Sequence, residues 1–186
     1  MKITRFQIRK IIREALKPKM FPHGWKMQIH AGDSPSAEGH SLLVVLKNNS
    51  GRTVGKVGAD RHWSDGRCIE GVFEVTGAEV TGGYGPTLYD VAIEWATLNG
   101  LGLVADRNSV SIEAGRVWKK YFKNRPDVQA VKLPEGYCEG EEHRAGIDDW
   151  YYYRYIKEEN LIPSLARADQ LEVIFDGKVE DIKFYM

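Results

Sequence analysis

Three glycines, Gly82, Gly83 and Gly85, stand between a β-rich run and an apolar pattern of helical period, an arrangement suited to binding an anion. The stretch from Val72 to Leu88 reads Val-Phe-Glu-Val-Thr-Gly-Ala-Glu-Val-Thr-Gly-Gly-Tyr-Gly-Pro-Thr-Leu. Glycine admits positive φ and lets the backbone come close to a ligand, while the free N–H groups of a helix N-terminus attract anionic groups. Pro86 fits the first helical position, where an N–H is not needed. A dinucleotide-binding fingerprint would place a third glycine where Leu88 stands, and a P-loop would place Lys and then Ser or Thr after its last glycine, so neither pattern applies.

Other residues with chemical potential are sparser. Asp106-Arg107 follows a short apolar run, where an α/β sheet often places function beyond its strand ends; a local ion pair or a helix entry is the competing reading. His62, Cys68, Cys138 and His143 could formally supply two cysteines and two histidines to zinc. Their pair spacings are loose and the halves far apart, so no metal is expected. His23, His30 and His40 fall in sequence that reads as irregular, and no role is assigned to them.

The elements that must position these residues belong to a chain of 186 residues, enough for one ordinary domain, and a single core spanning 1–186 is expected. Hydrophobic residues at 42% and charged residues at 28% argue against disorder of the whole. The formal net charge of zero removes the global electrostatic pull toward nucleic acid or an anionic membrane. No stretch approaches the ~20 apolar residues of a membrane span and no secretion signal is legible, so a cytoplasmic protein is expected. Two cysteines are too few for a secreted disulfide framework.

Along the chain, Ile8, Ile11, Ile12, Ala15 and Leu16 give residues 3–17 the pattern of a basic amphipathic helix, ended by Pro18. A short strand is possible from Trp25 to Ile29 within an otherwise irregular segment. Ser41 to Lys47 reads as a buried strand, and Asn48-Asn49-Ser50-Gly51 turns it into a second strand through Thr53 and Val57, a β-hairpin. Gly58 to Gly66 reads as a polar turn. Cys68 to Val80 is the next strand, with a bulge at Gly71 or Gly77. Leu88, Val91, Ala92, Trp95 and Ala96 share a helical face that closes at Asn99-Gly100. Leu101 to Ala105 is a short apolar strand, and the strand–helix–strand spacing favours parallel pairing across the crossover. Ser109 or Ser111 can cap a helix whose Ala114, Val117, Trp118, Tyr121 and Phe122 share a face. Residues from about 133 to 149 form an acidic insertion without periodicity. Trp150 to Tyr155 and Leu171 to Phe175 read as late strands.

Gly83-Tyr84-Gly85-Pro86-Thr87-Leu88 resembles the acetyl-CoA pyrophosphate turn of the GNAT superfamily of N-acetyltransferases, in which two glycines one residue apart link the central fourth strand to the following helix. That family continues with a short strand and a helix often begun by Asn-x-x-Ala with an aromatic four residues after the Ala. Leu101 to Ala105, then Ser111-Ile112-Glu113-Ala114 with Trp118, take those places. The hairpin from Ser41 to Val57 resembles the family's second and third strands, and the likeness covers roughly residues 41 to 125. Val80 stands where Gln or Arg usually opens the motif, and Trp118 where many members carry a Tyr that protonates the departing CoA thiolate. The opening Met-Lys-Ile-Thr-Arg-Phe-Gln-Ile-Arg-Lys-Ile-Ile-Arg-Glu also resembles the starts of bacteriophage proteins.

The resemblance implies an α/β (α+β) fold with an acyl-CoA N-acyltransferase-like mixed central sheet flanked by helices. It implies acetyl-CoA as cosubstrate, held by Val75, Val80, Gly82, Gly83, Tyr84, Gly85, Thr87, Leu88 and Trp118. Acetyl transfer to a primary amine of a protein or small molecule needs a base for the ammonium, a donor for the oxyanion and an acid for the thiolate. Glu74, in the middle of the central strand, is the first choice of base; Glu70 shares its face by strict alternation and Glu79 lies closer to the turn. Tyr121, one helical turn after Trp118, is the first choice of acid, with Tyr84 and Tyr89 nearer the turn. A second expectation is a non-catalytic protein of the same fold, a partner-binding or phage assembly component docking through its basic N-terminal helix.

Overall fold

A computed structural model of the chain describes residues 21–31, 41–61, 69–106, 109–134, 149–157 and 171–176. The helix expected over 3–17, most of the acidic insertion, Arg107, and His62, Cys68, Cys138 and His143 lie outside the described residues. The fold is mixed α+β. Its strands are β1 (Trp25–Ala31), β2 (Leu42–Lys47), β3 (Thr53–Arg61), β4 (Phe73–Val80), β5 (Leu103–Val104), β6 (Val128–Lys132), β7 (Tyr153–Lys157) and β8 (Leu171–Asp176). Helix α1 (Gly85–Asn99) joins β4 to β5, and α2 (Ile112–Asn124) precedes β6.

The eight strands form one sheet in the order β6-β7-β5-β4-β3-β2-β1-β8. Strands β1 to β4 pair antiparallel in succession. The crossover through α1 makes β5 parallel to β4, as the strand–helix–strand spacing predicts. Strand β7 pairs antiparallel with both β5 and β6, and β8 lies parallel to β1.

The hairpin between β2 and β3 is organised by Asn48, whose Oδ1 accepts from the N–H of Ser50 (3.1 Å) and of Arg52 (3.0 Å) while its carbonyl accepts from Gly51 N–H (2.8 Å). Asx side chains of this kind replace backbone partners that a tight turn leaves over. Strand β3 does not stop at Val57 as the polar composition beyond it suggests. It continues to Arg61, because β2 supplies register partners as far as Ala59 and β4 as far as Arg61, and Asp60 Oδ1 accepts from Ser41 N–H (2.9 Å), fixing a charged residue at the strand end.

One face of the sheet carries Met27, Ile29, Leu42, Val44, Leu46, Val57, Ala59, Phe73, Val75, Leu103 and Tyr155, all in the same core cluster as Leu88, Ile93, Trp118 and Tyr121 of the two helices. Helix α1 is buried at every position from Thr87 to Ala96, so it behaves as a core helix rather than an amphipathic surface one. Burying each large apolar side chain contributes about 1.5–3 kcal/mol. A small second cluster of Val72, Val104 and Leu133, with Ile69 against it, lies on the opposite face.

Three further expectations are corrected. Strand β4 begins at Phe73, since Gly71 takes φ +85° in the preceding turn. Strand β5 is confined to Leu103–Val104, because Gly100 and Gly102 shape the approach: Gly100 packs on the Gly71 carbonyl and Gly102 turns at φ +105°. The aromatic run from Trp150 opens as a 3₁₀ turn over Asp149–Tyr152, with Tyr155 Oη donating to the Trp150 carbonyl at 2.8 Å, and only then becomes β7.

Candidate functional site

Two local features pry β4 and β5 apart. Between Gly58↔Gly77 and Ala59↔Val75 the register with β3 slips by one, so Thr76 is an extra residue in β4 and forms a bulge, which bends the strand. On the other side, Asp106 Oδ1 accepts from Ser109 N–H (3.0 Å), turning the chain away after β5 and toward α2. Ser111 Oγ then accepts from Ala114 N–H (3.1 Å) and caps α2. The two parallel strands share only the pairs Phe73↔Leu103 and Glu74↔Val104.

The resulting cleft has a volume of about 210 Å³. It lies between the β4 edge at Val75–Ala78 and the segment Ser109–Ser111 with Ala114 and Trp118 of α2; Tyr89 of α1 and Asp106 complete it. The Tyr89 ring meets the Trp118 ring edge-on, with centroids 5.2 Å apart. Burial, reinforced by the negative charge of Asp106, pushes the Tyr89 phenol up to about 12. On this side of β4, the ladder to β5 ends at Glu74, and the strand edge beyond it faces the cleft.

The glycine turn follows directly on the end of β4. Gly82 and Gly83 adopt φ +66° and +78°, a region costly for any residue with a Cβ. Tyr84 is the N-terminal cap position of α1, its side chain does not cap the helix, and its ring is buried against Phe21 (5.4 Å, stacked) and Trp25 (5.1 Å). Helix bonding begins with Leu88 N–H donating to the Tyr84 carbonyl at 3.1 Å. The N–H groups of Gly85 and Thr87 therefore belong to the first turn, which has no intrahelical acceptor for them. No acidic side chain occupies that turn.

The residues singled out from sequence fall in several places. Val75 and Trp118 meet in the cleft. Gly82, Gly83, Gly85, Thr87 and Leu88 form the turn and helix start, with Thr87 and Leu88 buried. Val80 closes β4 and packs over Gly55, where an added Cβ would lie 2.7 Å from Val80 Cγ1. Glu74, only 9% exposed, is opposite Asp60 and on the sheet face away from the helices, since its neighbours Phe73 and Val75 point into the helical core. Past the bulge, Glu79 returns to that same face, opposite Lys56.

Tyr121 lies elsewhere. It is wholly buried, and its hydroxyl donates to the Pro86 carbonyl at 2.8 Å, tethering α2 to the first turn of α1. It borders a buried charge network rather than the cleft. Arg125 Nη1 sits 3.1 Å from Asp90 Oδ1, though hydrogen-bond geometry is met only between Nη2 and Oδ2 at 3.2 Å. Arg125 Nε also donates to Asp127 (2.7 Å), which Lys157 of β7 pairs as well. Burial would raise the Asp127 carboxyl, but hydrogen bonds from Arg125 and Lys157 outweigh it and hold the group well below the usual carboxylate range. Asp90, more deeply buried with Arg125 as its nearest cation, is raised. Burial and the Asp90 charge push Tyr121 well above an ordinary phenol.

The lining residues from Ser109 to Ala114 were visible only as a helix cap in the sequence; the spacing Ser111, Ala114, Trp118 was the usable signal. Among the described residues no group of His, Cys, Asp and Glu side chains is arranged to hold a metal ion, and no helix is long and apolar enough to cross a membrane. No family model, curated protein or solved structure matches this chain.

Proposed function

We propose that the chain is a GNAT-like acyltransferase domain that binds acetyl-CoA in the cleft between β4 and β5 and transfers the acetyl group to a primary amine. The observation that carries this reading is the parting of two parallel strands directly before a glycine turn that opens a helix. Ligands of open α/β sheets bind beyond the carboxyl ends of parallel strands, where neighbouring chains diverge. The exposed β4 edge suits a thin, amide-bearing arm that adds to it as a strand would. The turn at Gly82–Gly83 and the N–H groups of Gly85 and Thr87 suit a pyrophosphate.

The order of elements agrees with the resemblance drawn from sequence. A hairpin of β2 and β3 leads into β4, which lies mid-sheet; α1, a short β5 and a capped α2 follow. The bound thioester would supply an activated acyl group. Glu74, on the face away from α1 and α2, would take the ammonium proton of an acceptor approaching from that face, since an amine with pKa near ~10.4 must be deprotonated to attack.

A second reading, a binding or phage assembly component of the same fold without turnover, is favoured by one observation. Trp118 fills the place of the family's acidic Tyr, while the hydroxyl of Tyr121 is committed to the Pro86 carbonyl. Calorimetry with acetyl-CoA and CoA, followed by transfer assays on a panel of amines, separates the possibilities. Binding with transfer that falls on Glu74→Gln supports the enzyme, binding without transfer supports the second reading, and no binding at high ligand concentration rejects the enzyme.

A further inference from the structure

Asp106 stands two residues past Val104, the last residue of β5 to pair with β4, and so lies where the two parallel strands part. It lines the cleft there and is half-buried. Its carboxylate is held in place, because Oδ1 accepts from Ser109 N–H at 3.0 Å, the bond that steers the chain toward α2. The β4 edge, the approach to α2 and α2 itself bring only apolar or hydroxyl-bearing side chains to the cleft. Among the described residues no lysine, arginine or histidine lines it.

Resting on the acyl-CoA reading above, we propose that Asp106 sets the charge of the acyl group this cleft takes: its carboxylate turns away thioesters whose acyl arm ends in a carboxylate and admits neutral or cationic arms. With the phosphates at the glycine turn, the pantetheine arm runs back along the β4 edge from Ala78 toward Val75. Its acyl end then comes to the parting of the strands, beside Asp106.

The strength of the effect follows from the surroundings. A charge in a cleft with low-dielectric walls acts over a longer range than the same charge on an open surface. The Asp106 charge reaches the interior, where, after burial, it is the second cause that raises the Tyr89 phenol. A second carboxylate brought within about 8 Å of the first, at an effective dielectric of ~20, weakens binding on the order of tenfold or more. The described walls hold no cation to offset that repulsion. An ammonium in the same place is attracted instead, and an acetyl group carries no charge to be judged.

Calorimetry with three thioesters tests this: acetyl-CoA as the reference, succinyl-CoA, whose arm ends in a carboxylate, and β-alanyl-CoA, whose arm is of similar length and ends in an ammonium. The intact protein is expected to bind β-alanyl-CoA about tenfold or more tightly than succinyl-CoA, and Asp106→Asn to reduce that preference to about twofold. The Asn side chain keeps an Oδ1 to accept from Ser109 N–H, so the approach to α2 is retained. Should Asp106→Asn fail to fold, Asp106→Ser serves in its place, since a hydroxyl can accept the same N–H. Equal affinity for the two charged arms in the wild-type protein, their refusal alike, or a preference that survives in the variant overturns the role of Asp106 and leaves the CoA reading standing. No binding of acetyl-CoA or of either charged thioester overturns both.

Discussion

Glu74 and Val104 are the last paired residues of β4 and β5, and beyond them the two parallel strands separate. Parallel strands normally stay in register because their hydrogen bonds are evenly spaced, so an early parting needs a cause on each side. Here the extra residue Thr76 bends β4, and Asp106 turns the other chain away through Ser109. The cleft is thus built by a bulge in β4 and by a side-chain–backbone hydrogen bond after β5.

Filling that cleft tests its use. Ala114 lies on its α2 wall, half-buried, and a larger residue there would project into open volume rather than into packed core. Ala114→Phe is expected to weaken CoA binding at least tenfold by calorimetry while leaving thermal stability within a few degrees of wild type.

The glycine turn should respond differently from a glycine that only packs. Gly83→Ala forces a Cβ into φ +78° at an exposed site, costing roughly 1–2 kcal/mol and displacing the N–H groups proposed to hold the pyrophosphate. Gly100→Ala would put a Cβ 2.2 Å from the Gly71 carbonyl oxygen, a clash with backbone that is expected to cost about 1–3 kcal/mol or more. Urea denaturation should show both losses. Only Gly83→Ala should also lower CoA affinity per folded molecule.

The buried charges predict an acid dependence. Asp127 has a folded pKa below its unfolded value, so its contribution is complete above the ordinary Asp pKa of ~3.9 and is lost as pH falls through the folded value. Asp90 is shifted the other way: its ionised form costs stability above its raised folded pKa, and acid relieves that cost. Asp127→Asn is therefore expected to lower stability at pH 7 by about 3–5 kcal/mol, because it strands Arg125 and Lys157, and to flatten the acid limb of a denaturation profile. Asp90→Asn should cost less at pH 7 than Asp127→Asn.

Tyr121 supports the helix start rather than the cleft. Tyr121→Phe removes the hydrogen bond to the Pro86 carbonyl and is expected to lower stability by about 0.5–1.5 kcal/mol.

Much of this was legible in the sequence because it is local. The Asn48–Gly51 turn, the run from β4 through the glycines into α1, and the Ser111 cap each depend on neighbours within a few residues. What escaped depends on partners far along the chain. The extension of β3 to Arg61 needs β4 beside it, and β6 is a five-residue strand whose weak alternation gains meaning only against β7. The bulge was expected at Gly71 or Gly77 and sits at Thr76, since two strands with unequal residue counts must absorb the difference where a glycine neighbour allows it. Tyr121 and Tyr89 are both helical tyrosines, and periodicity alone does not say which reaches the cleft; the parting of β4 from β5 decides it.

The most direct test is an amide NMR titration of the intact chain with CoA, read residue by residue. The largest shifts are expected at Val75–Ala78 on the β4 edge and at Gly82, Gly83, Gly85 and Thr87 in the turn, with the remote strand pair β1–β2 unmoved. Saturating CoA that leaves both the β4 edge and the glycine turn unshifted would contradict the assignment of this cleft.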